Sequence, residues 1–104
     1  MTPEDLLMPN GVPIGTPSPG GDITIRNVSG GPQAARDIYD QLSQGGTRYH
    51  GTYPGTAVEL PNGGFIGIRD ADTNNPTIDV NIPDVTRVSK IHFDEEWANG
   101  SRDA

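Results

Sequence analysis

The chain has 104 residues, enough for one domain and too few for two hydrophobic cores. Hydrophobic residues make up 32% and cysteine is absent, so neither a disulfide framework nor a cysteine-based zinc site stabilises the fold. A formal net charge of −7 excludes a nucleic-acid binder that relies on a generally basic surface, although most of the acidity lies towards the two ends.

Residues 1–30 read as a Gly/Pro-rich linker or junction. Pro3, Pro9, Pro13, Pro17 and Pro19 punctuate them, and Gly11, Gly15, Gly20 and Gly21 loosen them. Such composition buries too little apolar surface to offset chain entropy. The alternation from Asp22 to Arg26 admits a short strand. The first residues are acidic and proline-containing rather than basic and then apolar, so no signal peptide is expected. No run reaches membrane-spanning length, so no membrane anchor is expected either.

Residues 32–42 predict a helix. Pro32 suits a first helical turn, and Ala34, Ala35, Ile38, Tyr39 and Leu42 fall on one face. Gly45 and Gly46 end it. Residues 47–53 are β-prone without a clean pattern. Residues 56–60 and 65–69 read as a hairpin around Pro61-Asn62-Gly63-Gly64. After a polar loop, residues 77–82 alternate strictly, and residues 87–93 form the last strand. Residues 94–104 read as an acidic tail, with a short helical turn around Trp97 as one option. Short connections imply antiparallel neighbours. The expected fold is therefore α+β, an N-terminal helix packed on a roughly four-stranded antiparallel sheet, with the domain at residues 31–93.

Side chains alternate across a sheet. Ile66, Ile68, Ile78, Val80, Ile82, Ile91 and Phe93 share the face towards the helix and form the expected core. The opposite face then carries Phe65, Gly67 and Arg69, then Thr77, Asp79 and Asn81, then Val88, Lys90 and His92. Any half-solvated sheet has a polar outer face, so parity alone leaves two interpretations open: a plain solvated face, or a functional surface. The mixture of His, Lys, Arg, Asp and Thr suits one chemistry, cleavage of RNA by its own 2′-hydroxyl. His92 titrates near neutrality and serves as base or acid. Lys90 stabilises phosphorane charge, and Arg69 grips two phosphate oxygens. Asp79 orients the imidazole or accepts a proton, and Thr77 donates a hydrogen bond. His50 beside Tyr49 is a further candidate for substrate contact, set against a structural role. Two histidines build no zinc site unaided, so no metal and no cofactor are expected; Asp70, Asp72 and Asp79 are the weaker carboxylate alternative.

From Gly64 to Phe93 the chain reads GGFIGIRDADTNNPTIDVNIP and then VSKIHF, after the helix ARDIYDQL. This resembles the C-terminal toxin domains of bacterial polymorphic and contact-dependent inhibition systems. Those domains are similar to the metal-independent ribonucleases of the barnase–EndoU–colicin–RelE group, a helix on a four-stranded antiparallel sheet. The resemblance implies an endoribonuclease toxin aimed at RNA, often tRNA. It also implies delivery as the C-terminal part of a larger exported protein, action in a target-cell cytoplasm, and neutralisation by a cognate immunity protein. A host-cell protein activator belongs to the same expectation. Arg69, Thr77, Asp79, Lys90 and His92 fall on the motif positions, and Thr73 on a loop position that is often Ser or Thr and contacts substrate. The competing expectation is a non-catalytic binding or adaptor module of a secreted or phage protein.

Overall fold

The computed structural model describes residues 2–94. In chain order it contains α1 (Pro3–Leu7), a 3₁₀ turn at Pro9–Gly11, β1 (Thr16–Pro17), β2 (Ile25–Ser29) and α2 (Gly31–Leu42). Then follow β3 (Thr47–Arg48), β4 (Thr56–Glu59), β5 (Phe65–Arg69), β6 (Thr77–Asn81) and β7 (Lys90–Asp94). The expected turn at Trp97 lies outside the described residues, and Asp94, assigned to the acidic tail from sequence, closes β7 instead.

The architecture is α+β, but the sheet is larger than four antiparallel strands. It has seven strands in the order β1-β2-β7-β6-β5-β4-β3. Every pairing is antiparallel except β2 with β7. The parallel pair explains the discrepancy. A parallel neighbour needs a long connection, and here the connection is the whole run from α2 to β6. Reading short loops as antiparallel contacts finds the middle of this sheet and misses its closure.

Residues 1–30 are correspondingly not a loose junction. Thr2 caps α1: its Oγ1 accepts from the Asp5 amide at 3.1 Å while the Asp5 carboxylate accepts from the Thr2 amide at 3.2 Å. That is a capping box, with Pro3 at the first helical position. Leu7 is fully buried, and α1 lies against α2. Arg26 is also buried, and its guanidinium donates to three carbonyl oxygens. Nε reaches Ile14 at 2.9 Å, Nη1 reaches Ile23 at 3.0 Å and Nη2 reaches Gly15 at 3.2 Å. One side chain thus fastens the approach to β1 onto β2. Gly15 has φ +72° and lies directly on the β2 backbone at Asn27, where a Cβ would collide.

α2 starts one residue before the expected position and packs over β5, β6 and β7. Its Ala35 and Leu42 are buried, and Ile38 and Tyr39 flank them. All seven sheet residues assigned to the core are buried, with Leu7, Leu60, Val85 and Val88 added to them. Val88 departs from the parity expected of residues 87–93. The strand begins only at Lys90, so Val88 lies in the preceding loop and turns into the core. Gly63 closes the β4–β5 hairpin with φ +93°. No helix of the described residues is long and apolar enough to cross a membrane.

Candidate functional site

The sheet register decides which outer-face side chains are neighbours. Arg69 pairs with Thr77, Thr77 with His92, and His92 with Asn27. One row across β5, β6, β7 and β2 therefore reads Arg69, Thr77, His92, Asn27. The adjacent row reads Gly67, Asp79, Lys90, Ile25. Neighbouring strands lie about 4.8 Å apart. The structure thus brings together all five residues that strand parity assembled, and on the face away from α2.

Within the cluster the pairings differ from those expected. Asp79 makes no hydrogen bond to His92. Its carboxylate accepts from Arg69 Nε at 2.7 Å, from Arg69 Nη2 at 3.4 Å and from the Tyr53 hydroxyl at 2.6 Å. The Nε–Nη2 edge of Arg69 is thus committed to Asp79, which leaves the Nη1 hydrogens without a bond to that carboxylate. Burial alone would raise the Asp79 pKa, but the bonds from Arg69 and Tyr53 and the charge of Lys90 outweigh it and hold the group below the ordinary value. A carboxylate so held is an anchor rather than a proton acceptor. Burial, then the bond to Asp79, pushes the Tyr53 phenol far up, so it stays protonated and donating.

The imidazole is oriented by Thr77. Thr77 is buried, and its Oγ1 lies 3.3 Å from His92 Nδ1. When Nδ1 carries the proton and donates to Thr77, Nε2 keeps its lone pair free. Burial, reinforced by the charges of Lys90 and Arg69, pulls the His92 pKa below its ordinary value against the smaller opposing pull of Asp79. The ring is therefore neutral at pH 7. Lys90 has no ion-pair partner among the described residues. With Arg69 neutralised by Asp79, Lys90 supplies the net positive charge at this point on an acidic chain.

Both shifts make stability depend on acid in the same direction. Between the folded-state pKa of His92 and 6.5 the unfolded chain binds more protons, so stability rises with pH in that window. Asp79 adds stability above 3.8 that is lost as pH falls through its lower folded value. Urea midpoints are expected to fall in two stages on acidification, the first beginning near pH 6.5. In His92→Gln the first stage should disappear and the second should persist.

The two substrate-contact candidates, Thr73 and His50, make no hydrogen bond to this cluster among the described residues. Thr73 Oγ1 donates to the Asp70 carbonyl at 2.8 Å and accepts from the Asn75 amide at 3.2 Å, so it shapes the loop between β5 and β6. Such a hydroxyl has little left for phosphate. His50 is exposed in the connection after β3, and its side chain makes no hydrogen bond or ring contact among the described residues. The same connection supplies what the sequence reading missed. Tyr53 folds back over the sheet so that its ring covers Gly67, and Tyr49 and Tyr53 both meet Phe65 edge-on, with centroids 5.2 and 5.6 Å away. The signal was present: a lone glycine inside a strand marks a place where something approaches the backbone. Residues 47–53 form only the two-residue β3 because their remainder is this aromatic cover.

No three His, Cys, Asp or Glu side chains converge as a metal would require among the described residues. Comparison with protein-family models, with curated proteins and with solved structures finds no match to this chain.

Proposed function

We propose that this domain is an endoribonuclease that cleaves RNA by transesterification, with the row Arg69–Thr77–His92 and the adjacent Lys90 as its active site. The observation that carries the proposal is the alignment of Thr77 with His92. A buried hydroxyl orients an imidazole that is neutral at neutral pH, beside an ammonium with no ion-pair partner among the described residues. His92 Nε2 takes the proton from the 2′-hydroxyl, and the 2′-oxygen attacks phosphorus. The P–O5′ bond breaks, and O5′ receives a proton from the Lys90 ammonium. The products are a 2′,3′-cyclic phosphate and a 5′-hydroxyl. Lys90 and the Nη1 of Arg69 serve the phosphorane oxygens, where negative charge grows. Asp79 and Tyr53 hold Arg69 and are positioning residues.

The motif resemblance supports the same class and adds the biology: a toxin delivered on a larger exported protein, acting on cytoplasmic RNA such as tRNA, and checked by an immunity protein over this face. A non-catalytic binding module is the competing interpretation, favoured by the net charge of −7. The test is incubation with total RNA in EDTA. Discrete fragments ending in 2′,3′-cyclic phosphate are expected, and an oligonucleotide with a 2′-deoxyribose at the cut position should stay intact. Cleavage that EDTA stops, or that proceeds through the deoxyribose, excludes this mechanism. Intact RNA, even after addition of cell extract, favours the binding module.

A further inference from the structure

Three aromatic side chains stand outside the hydrophobic core. Tyr39 and Phe93 belong to it, but Tyr49, Tyr53 and Phe65 do not. Phe65 has the parity of Gly67 and Arg69 on β5, so it lies on the outer face with the His92–Lys90 cluster. Tyr53 lies on that face too. It fills the space above Gly67, and its hydroxyl donates to Asp79 at 2.6 Å. Tyr49 joins them by meeting Phe65 edge-on, with the centroids 5.2 Å apart. The aromatic group thus shares a face with the proposed active site and is bonded to one of its residues.

Its construction fixes the rings without covering them. Each tyrosine is laid on a glycine, Tyr49 on Gly51 and Tyr53 on Gly67, where a Cβ would take the place of the ring. The connection that carries them is fastened at both ends. The Tyr49 amide donates to the Ala57 carbonyl at 2.9 Å, and Gly55 lies against the β5 backbone at Ile68. All three residues are only half-buried, so part of their surface remains in solvent. Rings held in this way lose little freedom when a ligand stacks on them.

The face is also polarised in charge. By register, one row reads Glu59, Phe65, Asn81, and the next reads Ala57, Gly67, Asp79, Lys90. The ammonium stands on the β7 side, and the aromatic rings stand towards β4, where Glu59 is the neighbour of Phe65. A ligand that is anionic at one end, and flat and uncharged at the other, matches this order. Gly67, under the Tyr53 ring, lies two strand spacings from Lys90, about 10 Å. A nucleotide with its phosphate at Lys90 and its base on the rings fits that span.

We infer that Tyr49, Tyr53 and Phe65 form a stacking platform for the nucleobase next to the scissile phosphate. The inference rests on the ribonuclease proposal and adds the second point at which that site holds its substrate. Single-stranded RNA splays its bases onto aromatic rings. Stacking accepts every base, because each has a π-face, so the platform contributes affinity with little sequence preference.

The test uses the whole chain and oligonucleotides carrying one ribonucleotide in a deoxyribonucleotide strand, with an abasic residue placed in turn on each side of the scissile phosphate. At one of these positions, loss of the base should raise KM by about 5- to 100-fold with kcat little changed, the range of one aromatic stack. Tyr49→Leu and Tyr53→Leu should each raise KM for the intact oligonucleotide and shrink the abasic penalty. Tyr49→Phe and Tyr53→Phe keep the rings and should restore KM. Tyr53→Phe should still lower kcat, because its hydroxyl no longer holds Asp79. The abasic series on wild-type protein decides the matter even if the leucine variants misfold. A KM indifferent to both abasic positions, or equal in the leucine and phenylalanine variants, overturns the platform and leaves the ribonuclease standing. Failure of wild-type protein to cut any member of the set or total RNA overturns the ribonuclease proposal, and the platform with it.

Discussion

Replacing His92 with alanine is expected to lower RNA cleavage by about a hundredfold to ten-thousandfold, the range that a positioned acid–base group contributes. The loss should fall on kcat, because Lys90 and Arg69 still attract the phosphate. It should not come from unfolding. His92 is half-buried on the outer face, and its one side-chain hydrogen bond among the described residues is to Thr77, so the urea midpoint should move little at pH 7. The pH profile of the wild-type protein provides a second check. A base must be unprotonated to work, and the His92 pKa lies below its ordinary 6.5. Cleavage should therefore rise with pH through the acid range and level off by neutrality. In Thr77→Val the ring loses its orienting hydroxyl. Activity should drop with KM nearly constant, as fits a residue that acts through another. A His92→Ala protein that is folded and fully active would show that the imidazole is only part of a solvated face.

The second large effect concerns the segment that composition presents as a tether. A chain starting at Gly30 is expected to lose its cooperative urea transition and near-ultraviolet circular dichroism. β7 would keep β6 on one side and have bare backbone on the other, because β2 is its parallel partner over five residues. The core would lose the fully buried Leu7 and the flank provided by Val28. Burying one such leucine contributes roughly 1.5–3 kcal/mol, and small domains have a net stability of only about 5–15 kcal/mol. Losing a strand, a helix and their contacts together exceeds that margin. If the shortened protein still melts cooperatively, β2 is an accessory to the sheet and not a part of it.

The parts of the fold that obey local rules were legible. The α2 stripe, the Pro-Asn-Gly-Gly hairpin and the alternation of residues 77–82 each encode their structure within a few neighbours. So did the outer-face cluster, because parity in three adjacent antiparallel strands is enough to align Arg69, Thr77 and His92. What failed is long-range. Nothing within residues 22–29 says that they lie beside residues 90–94, and the many prolines and glycines around them suppress the signal of a strand. The capping box at Thr2 and Asp5 was a readable helix start, overlooked in a segment that composition had already classified. Pairing inside the site was also out of reach. Parity makes Asp79 a neighbour of both Arg69 and His92, but only the fold shows that Tyr53 arrives over Gly67 and fixes Asp79 to the arginine.

The parallel pairing of β2 with β7 has a consequence for how the molecule comes into being. β7 is inserted between β2 and β6, so it joins an early part of the chain to a late part. Until it is in place, β1–β2 and β3–β6 are two fragments of a sheet with no shared hydrogen bonds. Contacts so distant in sequence form slowly, and large fragments of chain must wait for them. A ribosome therefore finishes nearly the whole of residues 2–94 before the domain can close. Lys90 and His92 sit on that final strand. In the proposed ribonuclease, the complete site and the completed sheet would arrive in one event, leaving a partly synthesised or partly unfolded chain without its His92–Lys90 strand.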